Sequence, residues 1–457
     1  SGRPIPFAPL PLYREDGSPN HNNIATYTAL TKKMENIEDA YYAEHLDFSG
    51  TKAFDTRAKY RSKSFLTIPL CNHVQEVIGV LQLVNAKNTT TGETISFSQD
   101  LEPIVAALAS SAAIALENQI LLQDHINLLD AFVQVIAQAI DAKSSHTSAH
   151  CQRVPALTEL LAQAACETQA GALSAFNLNE NDWYELRVAS WLHDCGKLAT
   201  PDYLLDKATK LHLLNDGIET VKARFAALIA QKELSYYKKM ITQPSLQDEL
   251  QQQLHADVEC LKSDCVFIET ANKGGEFMSA EAKARVHKIA EYCWINHLND
   301  EQPLLTPKEV EFLCIERGTI NFEERQKIND HMKVTIQMLE SLPFPKNLKR
   351  VPEYAGGHHE KMDGTGFPKG LTREQMSWPA RMMAIADIFE ALTASERPYK
   401  PAMKISQALS ILQRMRDQNH IDGDLFKLFL EARVWEIYAK RYLKPEQLDV
   451  EDFTKYL

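Results

Sequence analysis

The chain has no CxxC pair, no unbroken apolar run of the ~18 residues a membrane span needs, and no excess of positive charge. Its eight cysteines are scattered from Cys71 to Cys314, which argues against a disulfide scaffold and against a thiolate zinc site, and suits reduced thiols in a cytosol. The missing apolar run argues against a membrane span or signal peptide, so the expectation is a cytoplasmic protein with no membrane partner. A net charge of −12 disfavours a nucleic-acid surface, so an anionic substrate has to be held by a local cluster of cations. The chain opens on Ser1-Gly2 with no initiator Met, as it would if upstream residues had been removed. What is present, 44% hydrophobic and 24% charged residues over 457 positions, is the composition of a globular chain of roughly two to three domains.

SFLTIPLCNH and VIGVLQLVNAKN, followed by a polar turn at Thr89 to Glu93, read as two strands joined by short loops. GVLQLVNA, between Gly79 and Asn85, has the β-branched and Leu content of a buried strand. A long helix starts at Ser98, with Asp100 and Glu102 in its first turn. This order of elements over about residues 1–120 resembles a GAF domain, a small-molecule sensor module. The resemblance implies a small-molecule ligand, and no residue that binds it is legible.

From Leu101 to about Ala142 the pattern stays helical, without Gly or Pro after Pro103. Ile104, Leu108, Ala115, Leu122, Leu129, Phe132 and Ile136 form a stripe with seven-residue repeats. We expect a connecting signalling helix over residues 101–143, pairing in parallel with a second copy to make a homodimer, in preference to packing on its own domains. Residues 144–457 read as amphipathic helices with no strand alternation, over 146–163, 183–198, 307–316, 322–341, 373–394 and 404–416. Residues of about 206–321 form a polar helical insert, a lid, a dimer surface or a solvated elaboration.

The chemistry is concentrated in two adjacent pairs of ligand-type residues, His193-Asp194 in WLHDCGK and His358-His359 in GGHHEKMDGTGFPKG. Neighbours on a helix point in different directions, so such pairs rarely help a fold, but they can hold two metal ions a few Å apart for phosphodiester hydrolysis. Lys197 stands four residues after His193, where its ammonium reaches an anion at the same place. His146 and His150, at i and i+4, make a bidentate platform on one helix face, although such a pair taken alone is more often surface polarity. His331 alone is unremarkable. Gly366, Phe367 and Pro368 lie in a Gly-rich loop that makes a substrate wall beside the vicinal histidines. Asp387 is the only acid in an otherwise apolar helix face with Met383, Ile385 and Ile388, expensive unless ligated or paired. Arg397 and Lys400 in SERPYK add two cations, one suited to bidentate phosphate contact.

HCQRV, WLHDCGK, DHMKVTIQML, HHEKMDGTGFPKGL and ADIFEALTASERPYKPA, in this order, closely resemble the HD-GYP family, HD phosphohydrolases that cleave cyclic dinucleotides. The resemblance runs from about residue 150 to residue 410, around the insert. It implies one metal site of His150, His193, Asp194 and Asp387 and a second of His331, His358 and His359, with Asp194 bridging. Asp194 and Lys197 would be catalytic, and Lys197, Arg397 and Lys400 would bind the phosphates. Two departures stand out. Phe367 replaces the family's Tyr and lacks its hydroxyl, and His146 stands where some members carry a Glu that ligates a third metal. The implied function is hydrolysis of cyclic di-GMP to linear pGpG and/or GMP under control of the GAF domain. The alternatives are cyclic GMP-AMP as substrate, or a catalytically silent cyclic-dinucleotide receptor. Imidazole and carboxylate ligands without thiolate suit Fe or Mn first, with Ni or Zn as competitors, two ions or three. The fold class expected is α+β multidomain: an N-terminal α/β GAF-like sensor, a long connecting helix, and a C-terminal all-α HD-type phosphohydrolase domain with a helical insert.

Overall fold

The structure, a computed structural model, describes residues 9–43, 46–143, 150–205, 207–213, 215–275, 277–394 and 402–457. The architecture is α+β and multidomain, with two compact units, Ser1–Leu129 and Asp130–Leu457. The division falls inside the long helix.

The first unit is built on α1 (Ile24–Thr31), β1 (Glu35–Ile37), α2 (Ser49–Ala58), β2 (Phe65–Cys71), β3 (Val77–Val84) and the start of α3 (Glu102–Lys143), with a small hairpin of β4 (Ala86–Lys87) and β5 (Thr94–Ile95). The sheet is antiparallel in the order β1-β2-β3, with Ile37 opposite Phe65 and Phe65 opposite Val84. Side chains alternate across a strand, so β2 serves two cores. Leu66, Ile68 and Leu70 pack with Val105, Ala109 and Ala113 of α3, while Phe65 packs with Ile24, Ile37 and Phe48. The buried strand is therefore β2. GVLQLVNA, expected to be buried, lies in β3 at the sheet edge and is only half-buried, because one side of the strand has no neighbour among the described residues.

α3 covers the expected connecting helix. The stripe of the sequence analysis is not the face that packs within the chain: Ile104, Leu108, Leu122 and Phe132 are exposed, at 57 to 62%. Val105, Ala109 and Ala113, then Val133, Ala137 and Ile140, are the buried residues, and none between Ala113 and Val133 is buried. No apolar run of membrane-spanning length is unbroken, as expected, but the average over α3 is high. α3 contains an 18-residue window of mean hydropathy 1.5, of which 17% is buried, so one helix is long and apolar enough to cross a membrane by length and composition alone. Ser110-Ser111 and Glu117-Asn118-Gln119 interrupt the run, while the Ala, Ile, Val and Leu residues around them keep the average high.

The second unit is helical: α4 (His150–Glu167), α5 (Glu180–Leu192), α6 (Asp202–Leu205), α7 (Ile218–Thr242), α8 (Gln247–Asn272), α9 (Ala280–Ala290), a short hairpin of β6 (Cys293–Ile295) and β7 (Glu301–Pro303), α10 (Pro307–Leu313), α11 (Phe322–Asn329), α12 (His331–Ser341), α13 (Val351–Gly356), α14 (Trp378–Thr393), α15 (Ile405–Asp417), α16 (Gly423–Glu431) and α17 (Val434–Tyr442). The β6–β7 hairpin corrects the expectation of no strands beyond residue 144. Three-residue strands are too short to show a period of two. Val154, Leu157, Leu161 and Ala165 recur at helical spacing on α4 and are fully buried against Ile385 and Phe389 of α14 and Phe426, Phe429 and Tyr438 beyond.

The insert has a core of its own, with Val221, Phe225 and Leu228 of α7, Leu261 and Ile268 of α8, and Val286 and Ile289 of α9. Its two ends are tied together by buried polar contacts. Lys207 Nζ donates to Glu324 at 2.6 Å, and Lys210 Nζ to the carbonyls of Leu313 and Ile315 at 2.8 and 2.9 Å.

Below α14, the carboxylate of Asp422, 1% exposed, accepts from Arg373 Nε, Arg381 Nη1 and the amides of Asp424 and Leu425 at the start of α16. Burial alone would raise its pKa, but these bonds outweigh it and hold the carboxyl below its ordinary value. The folded value lies under the unfolded one, so its stabilisation is present above about pH 4 and is lost as pH falls through the depressed value. Asp422→Asn should cost about 3–5 kcal/mol in urea unfolding at pH 7, since it leaves Arg381 buried without its partner charge. The gap to the unsubstituted protein should narrow below pH ~4; equal stability at pH 7 would refute this role.

Candidate metal centre

Seven side chains distant in sequence meet in the second unit. His150 opens α4, His193 and Asp194 follow α5, His331 opens α12, His358 and His359 follow α13, and Asp387 lies within α14. Most therefore sit at helix ends, where the backbone leaves the helical repeat and adjacent residues can face one centre. The helix expected over 183–198 stops at Leu192 for this reason; Asp194 is non-helical at φ −109°, ψ 13°, and a 3₁₀ turn, Cys195–Ala199, follows. Gly196 makes the approach possible. A Cβ there would fall on the His331 carbonyl and the Thr335 amide, and the Gly196 amide donates to Thr335 Oγ1 at 2.9 Å. The turn therefore lies directly on the first turn of α12, which carries His331.

The ligand atoms form two quartets, His150–His193–Asp194–Asp387 and Asp194–His331–His358–His359, each with all its ligand atoms within 4.8 Å of one another. Asp194 belongs to both, through different oxygens. Its Oδ2 lies 3.4 Å from His150 Nε2 and 3.3 Å from His193 Nε2, while Oδ1 lies 3.2 Å from His331 Nε2 and 3.8 Å from His358 Nε2. Asp387 Oδ1 is 3.3 Å from His150 Nε2. These are contacts without hydrogen bonds: Nε2 of His150, His193, His331 and His358 and Oδ1 of Asp194 are all buried with no hydrogen-bond partner. So many orphaned atoms facing one another are costly unless a cation joins them, and imidazole with carboxylate is a fitting donor set for a divalent transition metal.

The electrostatics agree. Burial would raise Asp194, yet Lys197, His193 and His150 hold it well below the usual carboxylate range. Asp387 is held low in the same way by His150, His358 and His359 against its burial. Burial pushes His358 well below the ordinary imidazole value and His359 down to about 4. Ionised carboxylates and neutral imidazoles are the ligand forms. His150 goes the other way. Burial would lower it, but Asp194, Asp387 and Glu390 raise it well above its ordinary value, so its proton balances carboxylates that a metal ion would otherwise neutralise. Lys197 bonds Asp194, and although burial would lower it, Asp194 and Asp387 raise it, so it stays an ammonium.

A second layer aims the rings. Nδ1 of His193, His331 and His358 each meets the carbonyl three residues earlier, Ser190, Ile328 and Ala355. His150 Nδ1 instead meets Glu390 Oε2 at 2.5 Å, and Arg153 Nε donates to the other Glu390 oxygen at 2.7 Å. Glu390 and Arg153 went unnoticed in the sequence. Asp387 is thus not the lone acid of its helix: Glu390 stands three residues on, 1% exposed, a spacing that marks one helix face. Phe367, beside Gly366 and Pro368, stacks on His359. His146, Arg397 and Lys400 lie outside the described residues.

Glu390→Gln keeps the volume but loses the charge that orients His150, and should weaken metal binding about 10–100-fold, as removal of such outer partners does. Titration with Mn²⁺ checks this, and an unchanged affinity would show the Glu390 charge to be dispensable.

Residues 303–425 match the model of the HD domain and residues 8–116 that of the GAF domain. The chain is 43% identical over 96 residues to a 3'3'-cGAMP-specific phosphodiesterase of Vibrio cholerae, covering 21% of this chain and 20% of that protein. A second 3'3'-cGAMP-specific phosphodiesterase of the same organism is 31% identical over 143 residues, 29% of each chain. A cyclic di-GMP phosphodiesterase of Pseudomonas aeruginosa is 45% identical over 76 residues, 16% of this chain and 17% of that one. The matched stretches span under a third of these relatives' length. With both models matching in the order of the motifs, the chain joins an N-terminal GAF domain to a C-terminal HD domain.

Proposed function

We propose that this chain is a metal-dependent phosphodiesterase that hydrolyses cyclic di-GMP to linear pGpG, to GMP, or to both, under control of its N-terminal domain. The observation that carries this is the single carboxylate of Asp194 facing a different pair of unpartnered imidazole Nε2 atoms through each oxygen. Two divalent ions, Fe or Mn ahead of Ni or Zn, would be held by His150, His193, Asp194 and Asp387 and by Asp194, His331, His358 and His359. His146 would offer a ligand for a third. Bound there, such ions would lower the pKa of water towards neutrality and polarise the phosphodiester.

The chain's own groups supply the rest. Asp194 sets the spacing of the two halves of the site. Lys197, with its side chain 22% exposed, presents a fixed positive charge beside Asp194, where it offsets charge on the non-bridging phosphate oxygens. Arg397 and Lys400 would bind the phosphates further, and Gly366 to Pro368 would wall the substrate. These local cations answer the requirement set by the chain's net charge of −12. Control by the N-terminal domain would pass along α3, whose last residue, Lys143, donates to the Leu198 carbonyl, next to Lys197 in the same turn, and lies 3.5 Å from Asp202 just after that turn. The exposed stripe of α3 would pair with a second copy.

A second reading, 3'3'-cGAMP as substrate, is favoured by the two Vibrio cholerae relatives that bear that specificity in their names. Incubating the protein with Mn²⁺ and either cyclic dinucleotide, then separating the products, distinguishes the readings. Linear product from cyclic di-GMP supports the first, and linear product from cGAMP alone supports the second. Binding without cleavage would leave a silent receptor. Asp194→Ala should drop turnover below about 1% and lower metal content with it, because it removes a ligand from both quartets; undiminished hydrolysis by that variant sinks the assignment. Sedimentation at micromolar concentration should show a dimer, and a monomer there removes the paired helix.

A further inference from the structure

The five histidines of the metal centre are not all held in the same way. Four fix their rings by a hydrogen bond at Nδ1, three to backbone carbonyls and His150 to Glu390. Such a bond settles both the tautomer and the direction in which Nε2 points. His359 is the exception. Among the described residues no protein group hydrogen-bonds either of its ring nitrogens. What lies against it is Phe367, ring centroids 4.9 Å apart and planes 21° from parallel. His358 and His331 lie against it with ring centroids 4.2 and 5.4 Å away, but their planes are inclined to it by 41° and 90°, so neither presents a parallel face.

The loop that carries Phe367 is built to keep that ring in place. The Phe367 amide donates to the His359 carbonyl at 3.2 Å, which closes the loop back on the histidine. Gly366 allows this closure, because a Cβ at that position would fall on the backbone of Glu360 and Lys361. On the far side, the Glu360 carboxylate, 1% exposed, accepts the amides of Lys369 at 2.7 Å and Leu371 at 2.9 Å. A buried carboxylate with two backbone donors is fully committed to this task, so the loop is tied down immediately before and after Phe367-Pro368.

We propose that Phe367 is a positioning residue for the second metal quartet, its flat face fixing the plane of the His359 ring where the other four histidines are held by a hydrogen bond. The group required is an aromatic face, not a hydroxyl, which accounts for Phe serving where the family pattern has Tyr. This rests on the reading of the two quartets as a two-ion site. It also moves Phe367 from the substrate wall to the support of a ligand.

The test is Mn²⁺ binding to the full chain, by calorimetry and by metal content after dialysis, on the unsubstituted protein and on Phe367→Ala, Phe367→Leu and Phe367→Tyr. The expected result is two ions in the unsubstituted protein and in Phe367→Tyr. In Phe367→Ala, affinity for one ion should fall about 10–100-fold while the other is unchanged. Phe367→Leu fills the space without a flat face and should behave like Phe367→Ala, which separates stacking from mere packing should the Ala variant fold poorly. Thermal unfolding in EDTA should be alike for the unsubstituted, Leu and Tyr forms. If the Ala and Leu variants bind both ions normally and only KM for the nucleotide rises, Phe367 contacts substrate and the inference is wrong while the two-ion reading stands. If the unsubstituted protein itself takes up no second ion, the two-ion reading fails first.

Discussion

A single buried carboxylate shared between two groups of imidazoles is the constraint on which the second unit depends. Asp194 is 1% exposed and charged, and its two oxygens look at different histidines. Burying such a group is unfavourable by several kcal/mol unless opposite charge accompanies it. Lys197 supplies part of that charge. The unpartnered Nε2 atoms show where more would go. Helix termini around this point are arranged so that ligands converge without the helices colliding.

The approach of those helices is set by small details of packing. The 3₁₀ turn after Asp194 rests on α12 only because residue 196 has no side chain. Around the ligands runs a layer of carbonyls, one carboxylate and one aromatic ring, each fixing the rotation of an imidazole. The insert stands apart from this. It has its own core, and its buried Lys207 and Lys210 tie its two ends to each other. Among the described residues it adds no member to either quartet.

The α+β class and the GAF and HD segments were legible because they are carried by local patterns: strand-like runs, helical periodicity and short motifs. Places where local pattern misled have tertiary causes. GVLQLVNA reads as a buried strand but lies at an edge, since burial depends on the number of neighbouring strands. The regular stripe of α3 is the exposed one, while the chain buries Val105, Ala109 and Ala113 beside it. The β6–β7 hairpin was too short to announce itself.

By itself the sequence determined which residue types were available for ligation and in what order, because vicinal His-Asp and His-His pairs have little other use in a helical chain. It also determined that an anionic substrate would meet local, not general, positive charge, since the whole chain carries −12. Only the tertiary structure decided which oxygen of Asp194 faces which histidine, and that Glu390 aims His150 from 240 residues away. The same holds for Phe367, which faces His359 through a loop closed by Glu360. Ring orientation and oxygen assignment depend on distances between elements remote in sequence, and no local spacing encodes those.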